Sequence, residues 1–406
     1  MKINIPDCFL NENEDYITVP VMKRFCESNK IKVKNTREEI WNSIVLYAQE
    51  DSTKYETFRS WLNRVLKEGM KHIYIREFTF SDKVIENRLK DEKSVNDMLK
   101  ALFPDCKQTD MFECRPDKDP KIQKYSFSSE KGRVTSISFE LSVRLVVAVD
   151  QYIKKDIFLP IYVDIDLDKM IIFGRSKSKS KMYRYTEERL TEDGYKKTTK
   201  DLIIQSISMI MIRLQIELSQ KNVSTKFFKR KIYDLFSKST FTPQYIEDLV
   251  SGYSNTVTDF IDQVKGDFNI EDKYDEKMLE DINIFLEKYL SITRLKKEDL
   301  QSDRELYVTK TSSTDYERTK HSTTSPNDEP LQCKEKFFDT KKSISSSKSC
   351  DSVTFCHLRK VNKYFNEPFI ISFDVLDGWC IIKLPRYVEE EDIQYVLSKF
   401  IDNKEL

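Results

Sequence analysis

Residues 157–167 read Ile157-Phe-Leu-Pro-Ile-Tyr-Val-Asp-Ile-Asp-Leu167, and the fold follows from how this stretch is read. Ile161, Val163, Ile165 and Leu167 fall on one side of an extended chain, and Tyr162, Asp164 and Asp166 fall on the other. That is the period-2 alternation of a half-buried strand, with Asp164 and Asp166 expected on its wet face. The run from Val134 to Val149 predicts a longer strand before it. Met170 to Arg175 predicts a shorter one after it, beyond a two-residue turn at Asp168-Lys169. Consecutive strands with short connections make an antiparallel meander.

Upstream the apolar period changes to that of helices. Val21 to Asn29 predicts a short amphipathic helix. Thr36 caps a longer one, with Glu39 completing a capping box and Ile40, Trp41, Ile44, Val45 and Ala48 as its buried face. A third helix spans about Thr57 to Glu68, with Gly69 at its C-terminal cap. His72 to Phe80 alternates as a strand, Ser94 to Phe103 is helical, and residues 105–130, rich in Asp, Lys and Pro, predict a linker.

Downstream, Leu202 to Leu218 is apolar nearly all round and is expected as a central helix. Lys226 to Phe236, Pro243 to Val264 and Asp275 to Leu290 are its expected neighbours. Residues 299–352, rich in Ser, Thr and Lys, predict a mobile polar insertion with one strand at Leu306 to Thr309. Phe369 to Val375 and Trp379 to Leu384 flank Asp377-Gly378, a hairpin signal, and Glu389 to Ile401 closes the chain as a helix. The expected class is α+β. It comprises a helical module over 1–104, a linker over 105–130, a central sheet and helical bundle over 131–298, the insertion over 299–352, and a hairpin and helix over 353–406 packed on the central domain.

Composition narrows the chemistry. The 406 residues carry 68 Lys+Arg against 68 Asp+Glu, and 39% are hydrophobic. This is enough apolar material for a core and excludes a wholly disordered chain. The seven glycines are so far apart that a Walker A loop, a GxGxxG turn and a GxSxG elbow are all excluded. His72, His321 and His357 exclude HExxH and RxxxxH motifs. The eight cysteines lack CxxC spacing and read as reduced and structural. Cys350, Cys356 and His357 lack the tight spacing of a zinc site, so no metal or cofactor is expected. Apolar runs such as Val143 to Val149 fall far short of the ~20 residues a bilayer needs. Met1 to Leu10 has no signal-peptide pattern. A cytoplasmic protein with no membrane partner is expected.

The sharpest motif is Asn29-Lys30-Ile31-Lys32-Val33-Lys34-Asn35 between two helices, with Thr36-Arg37-Glu38-Glu39-Ile40 opening the second. From Val19 to about Gln49 this resembles a SAP module, which grips DNA with two helices and a basic hinge. The resemblance implies Lys30, Lys32, Lys34 and Arg37 as phosphate contacts, the last at a helix N-terminus. Lys30 and Asn35 stand where the family has hinge glycines, and Ser43 where it usually has a basic residue.

Charge patterning adds a second candidate. Lys169 to Lys238 holds 17 Lys+Arg against 7 Asp+Glu, a net of +10, while Glu247 to Glu287 holds 3 against 12, a net of −9. Arg175, Lys177, Lys179 and Lys181 on a hairpin end, with Lys229, Arg230 and Lys231 on a helix, are expected to track a sugar-phosphate backbone. Phe227, Phe228 or Tyr183 would stack on bases. The tripeptides Asp119-Pro-Lys121, Glu271-Asp-Lys273 and Asp339-Thr-Lys341 match the end of a nuclease motif, yet none follows a buried strand with an acid in the one before, and no catalytic residue is assigned.

The expected function is non-catalytic DNA binding, or an accessory role in a larger complex, in a phage-defence or mobile-element setting. A divergent metal-dependent nuclease is one alternative. The other is a scaffold that self-assembles by pairing its +10 and −9 stretches, and a protein partner or self-association is expected in either case.

Overall fold

The computed structural model describes residues 16–148, 154–188, 192–296, 299–300, 304–314, 319–326, 329–361 and 368–401. In chain order the first elements are α1 (Val19–Ser28), α2 (Arg37–Glu50), α3 (Ser52–Lys67), β1 (Lys71–Phe80), α4 (Lys83–Lys90) and α5 (Glu92–Leu102). Then come β2 (Lys121–Glu130), β3 (Arg133–Ala148), β4 (Lys154–Asp166), β5 (Ile171–Lys177), β6 (Met182–Arg184) and β7 (Lys196–Lys197). They are followed by α6 (Thr199–Leu214), β8 (Ile216–Leu218), α7 (Lys221–Ser239), α8 (Gln244–Gly252), α9 (Ser254–Phe268) and α10 (Asp275–Arg294). The last are β9 (Leu306–Thr314), β10 (Lys320–Thr324), α11 (Glu335–Ser347), β11 (Ser352–Val361), β12 (Pro368–Leu376), β13 (Trp379–Leu384) and α12 (Glu390–Ile401). The class is α+β, with antiparallel strand pairing. Among the described residues no helix is long and apolar enough to cross a membrane.

The chain forms two compact units. One runs to Thr225 and takes in the segment from Leu376 that holds the last helix; the other is built from Lys226–Val361 and Pro368–Val375. In the first unit the strand order is β13-β1-β5-β4-β3-β6-β7, with β2 paired to β3 and β8 to β1. The β3-β4-β5 meander is antiparallel as expected, Leu141 facing Ile161 and Ile161 facing Ser176. One face of the sheet carries Ile161, Val163 and Ile165 against α4, α5 and α6. Gly174 permits α6 to approach closely, because a Cβ there would collide with Ile203. The opposite face carries Phe158 and Tyr162 against the cluster formed by α1, α2 and α3. Each fully buried Leu, Ile or Phe contributes about 1.5–3 kcal/mol, so both helical layers are driven by the same term.

The structure corrects several expectations. Residues 1–104 are not a separate module, because β1 lies between β13 and β5 and puts Tyr74 and Phe78 into the main core. The supposed linker ends in β2, which pairs with β3 from Lys121 to Glu130. Its composition looked loop-like because only Ile122 and Gln123 are buried on this outer strand. Helix α4 was not anticipated. Helix α6 stops at Leu214, where Gln215 turns left-handed and the chain continues as β8.

Pro243 to Val264 is two helices, α8 and α9, parted at Gly252 and Tyr253. The span 299–352 is no mobile insertion over its described residues. It supplies β9, β10 and α11 to the second unit, whose sheet order is β10-β9-β11-β12. Phe337, Phe338 and Ile344 are buried there. Its hydroxyls serve structure, as where Thr311 Oγ1 donates to the Ser352 carbonyl at 3.4 Å. Within the first unit β13 pairs with β1, Tyr387 donates to Glu68, and Glu390 of α12 accepts from Arg175 of β5.

Candidate nucleic-acid interface

The hinge follows from how α1 ends. The Ile31 N–H donates to the Cys26 carbonyl at 2.8 Å and the Lys30 N–H to Glu27 at 3.3 Å. This Schellman closure needs a left-handed residue, and Lys30 takes that role with φ +57. The same position is usually glycine in the resembled family. Asn29 ties the hinge to α2: its side-chain amide donates to the Phe25 carbonyl at 2.9 Å and accepts from Tyr47 Oη at 3.0 Å. Beyond it Ile31 and Val33 pack half-buried on the helical cluster, while Lys30, Lys32 and Lys34 are exposed. None of the three forms an ion pair among the described residues.

At the start of α2 the capping box is complete. The Glu39 N–H donates to Thr36 Oγ1 at 3.3 Å and the Thr36 N–H to Glu39 Oε2 at 3.2 Å. Those bonds, with the charge of Lys34 adding to them, hold the Glu39 carboxyl below its usual range. A carboxylate therefore already occupies the amide end of α2. Arg37, half-buried in its first turn, stands beside a capped terminus.

The mid-chain cations are a correction. Arg175 and Lys177 do not face solvent, being 4% and 2% exposed. Arg175 donates bidentately to Glu390, at 2.7 and 2.8 Å, and lies 3.9 Å from Asp164 and 5.6 Å above the Tyr162 ring. The Lys177 ammonium sits 4.7 Å above the Tyr16 ring, and half-buried Lys179 lies 5.6 Å above the same ring. Of the four, Lys181 alone is fully exposed. The strand face assigned to water is thus an interlayer. Asp164 accepts from Ser138 Oγ at 2.6 Å, and burial raises its carboxyl against the pull of Arg175.

Reading the sequence did not single out Lys71. The β1–β5 register sets it directly opposite Lys177, and it is 1% exposed. Burial first, then the charges of Lys177 and Arg175, push its ammonium down to about 7, with Glu390 and Glu68 opposing. Glu68 is itself buried and raised by burial, although Tyr387 Oη donates to it at 2.8 Å. The signal was present in retrospect: Lys71 shares its strand face with Ile73 and Ile75.

In the second unit Lys229 pairs with Asp351, Arg230 with Asp234 at 3.2 Å, and Lys231 lies 5.2 Å above Phe227. Phe228 is fully buried and so is not a stacking face, whereas Phe227 and Tyr183 are half-buried. The tripeptide charges go separate ways: Asp119 to Arg184 at 3.0 Å, Lys273 to Glu271 at 2.6 Å, Lys341 to Glu287 at 2.7 Å. Among the described residues no three His, Cys, Asp or Glu side chains converge as metal ligands. Cys350 is instead buried against Thr311 and Ser312, its thiol pushed up to about 11 by burial.

Lys30, Lys32 and Lys34 of the hinge are therefore exposed and form no ion pair among the described residues, although the charge of Lys34 acts on Glu39. No protein-family model, no curated protein and no solved structure matches this chain.

Proposed function

We propose that this chain is a non-catalytic DNA-binding protein, an accessory subunit of a larger assembly, that holds the phosphate backbone through Lys30, Lys32 and Lys34. The observation that carries the reading is the alternation in the hinge. Ile31 and Val33 pack half-buried on the helical cluster, and Lys32 between them and Lys30 and Lys34 on either side are exposed. Residues two apart in an extended chain are roughly 7 Å apart, so Lys32 and Lys34, beyond the left-handed turn at Lys30, match the step between successive phosphates of one strand. Arg37 adds a fourth cation, and the Tyr47–Asn29 bond holds the two helices at the hinge. The SAP-like reading rests on this geometry together with the motif.

Affinity for a short labelled duplex, single-stranded DNA and RNA, measured by anisotropy across a salt series, tests it. Three phosphate contacts give a log–log salt slope of about −2.7, a roughly 40-fold loss between about 50 and about 200 mM salt. The triple variant K30Q/K32Q/K34Q should lower the steepness by that amount. An unchanged slope refutes the reading. Cleavage of the duplex with Mg²⁺ or Mn²⁺ present replaces it with the nuclease alternative.

A further inference from the structure

We propose that a cavity in the first unit, between the end of α5, the start of β2 and the last turns of α6, is a binding site for a small aromatic carboxylate. The site shares no residue with the hinge and stands independently of the DNA reading. Its volume is about 160 Å³, and about 150 Å³ is enough to take a benzene-sized molecule. The shape follows from the local sequence. Helix α5 gives way at Phe103, because Pro104 disfavours a helical residue before it, and the Cys106 N–H donates to the Phe103 carbonyl at 3.0 Å to close a turn. Pro120, with its φ fixed in the same way, leads into β2. Phe103, Pro120 and Ile122 are buried and form the floor, with half-buried Met209 of α6 beside them. The Phe103 ring is held by Phe139 and Tyr125, at centroid distances of 5.5 and 6.1 Å. A fixed ring, a thioether and proline rings favour a flat aromatic occupant.

The charges at the rim set the polarity of that occupant. Asp105, Lys121 and Arg213 are the charged residues that line the cavity; all three are exposed, and none forms an ion pair among the described residues. Two cations against one acid leave a surplus of one positive charge. Within two residues of the lining positions, Lys107 and Lys118 are also exposed, while Asp119 is engaged by Arg184 and Lys124 by Asp110, both at 3.0 Å. Met209 and Arg213, four apart, share one face of α6. Arg213 Nη1 donates to the Leu102 carbonyl at 3.0 Å, and the guanidinium lies 5.2 Å above the Phe103 ring. It is thus fixed at the cavity wall, and its other N–H groups have no partner among the described residues. A guanidinium fork matches the two oxygens of a carboxylate. The ring of the ligand lies on the floor and its carboxylate meets Arg213.

The test uses the full chain with benzoate as probe, at matched ionic strength. Benzamide, of the same shape without the charge, and the cationic benzylamine are the controls. Ligand-observed NMR should show saturable binding of benzoate, at least about tenfold tighter than benzamide, with benzylamine weaker still. Benzoate should also protect Cys106, half-buried in the cavity wall, from alkylation by iodoacetamide read by mass spectrometry, while Cys333, half-buried in the second unit, reacts as before. R213Q should shrink the preference for benzoate over benzamide to about twofold. M209W, which fills the cavity, should abolish benzoate binding with circular dichroism unchanged. Absent benzoate binding, equal affinity for either control, a preference that survives R213Q, binding that survives M209W, or equal protection of Cys333 overturns the proposal.

Discussion

Lys71→Met separates the buried cluster's electrostatics from its packing. Folded, the Lys71 ammonium titrates near 7; unfolded, it titrates at about 10.4. Between those values the unfolded chain binds one more proton, so stability rises with pH, and below the folded value the lysine's cost is fully present. At ~1.36 kcal/mol per unit, holding Lys71 costs about 4 kcal/mol at pH 7 and about 2 kcal/mol at pH 9. Methionine fills a similar volume without the charge. The variant should therefore be more stable than the parent at pH 7, with the gap narrowing by about 2 kcal/mol by pH 9. Comparing the two chains cancels the other titrations and any packing offset that does not vary with pH. Urea unfolding followed by tryptophan fluorescence is the assay, because Trp41, Trp61 and Trp379 all lie in the first unit. A gap that stays constant or widens with pH refutes the argument.

Glu390→Gln leaves the Arg175 guanidinium buried with only the more distant Asp164 as counter-charge, and urea melts should show a loss of about 3 kcal/mol, the low end for breaking a buried pair because Asp164 remains and Glu390 keeps partial solvent contact. Gly378→Ala puts a Cβ into Arg76, which donates to the Asp377 and Ser219 carbonyls at 2.8 and 2.9 Å, at a residue whose φ is +79. Calorimetry should show a loss of about 2 kcal/mol, and a neutral result would mean that Arg76 is not fixed there. Lys30→Gly relieves a left-handed lysine, a strain of about 1–2 kcal/mol, at an entropic cost of about 0.5–1 kcal/mol. The melting temperature should hold or rise while the salt slope of DNA binding falls by about 0.9. Loss of stability would show that the Lys30 stem, not the left-handed turn, supports the hinge.

The elements legible in the chain were those set by neighbours in sequence. The Thr36–Glu39 box, the β3-β4-β5 alternation and the Asp377-Gly378 turn, with positive φ at both residues, all formed as read. Strand β2 and the hydroxyl-rich strands of the second unit were misread because polar strands and loops share a composition. The candidate site divided along the same line. Lys30, Lys32 and Lys34 are exposed because their immediate neighbours Ile31 and Val33 are anchored, a local matter.

By itself the sequence determined the repeat of the central strands and of the amino-terminal helices, the Asp377-Gly378 turn and an open basic hinge, since each depends on chemistry a few residues apart. Only the tertiary structure decided that the other face of the sheet is covered by the amino-terminal helices, leaving Asp164 and Asp166 half-buried. Arg175 is covered by Glu390, 215 residues further along the chain, and Lys71 is set against Lys177 by strand register. A long cationic side chain with an apolar stem looks the same in sequence whether it reaches water or lies between two layers. The distinction is made by what packs over it.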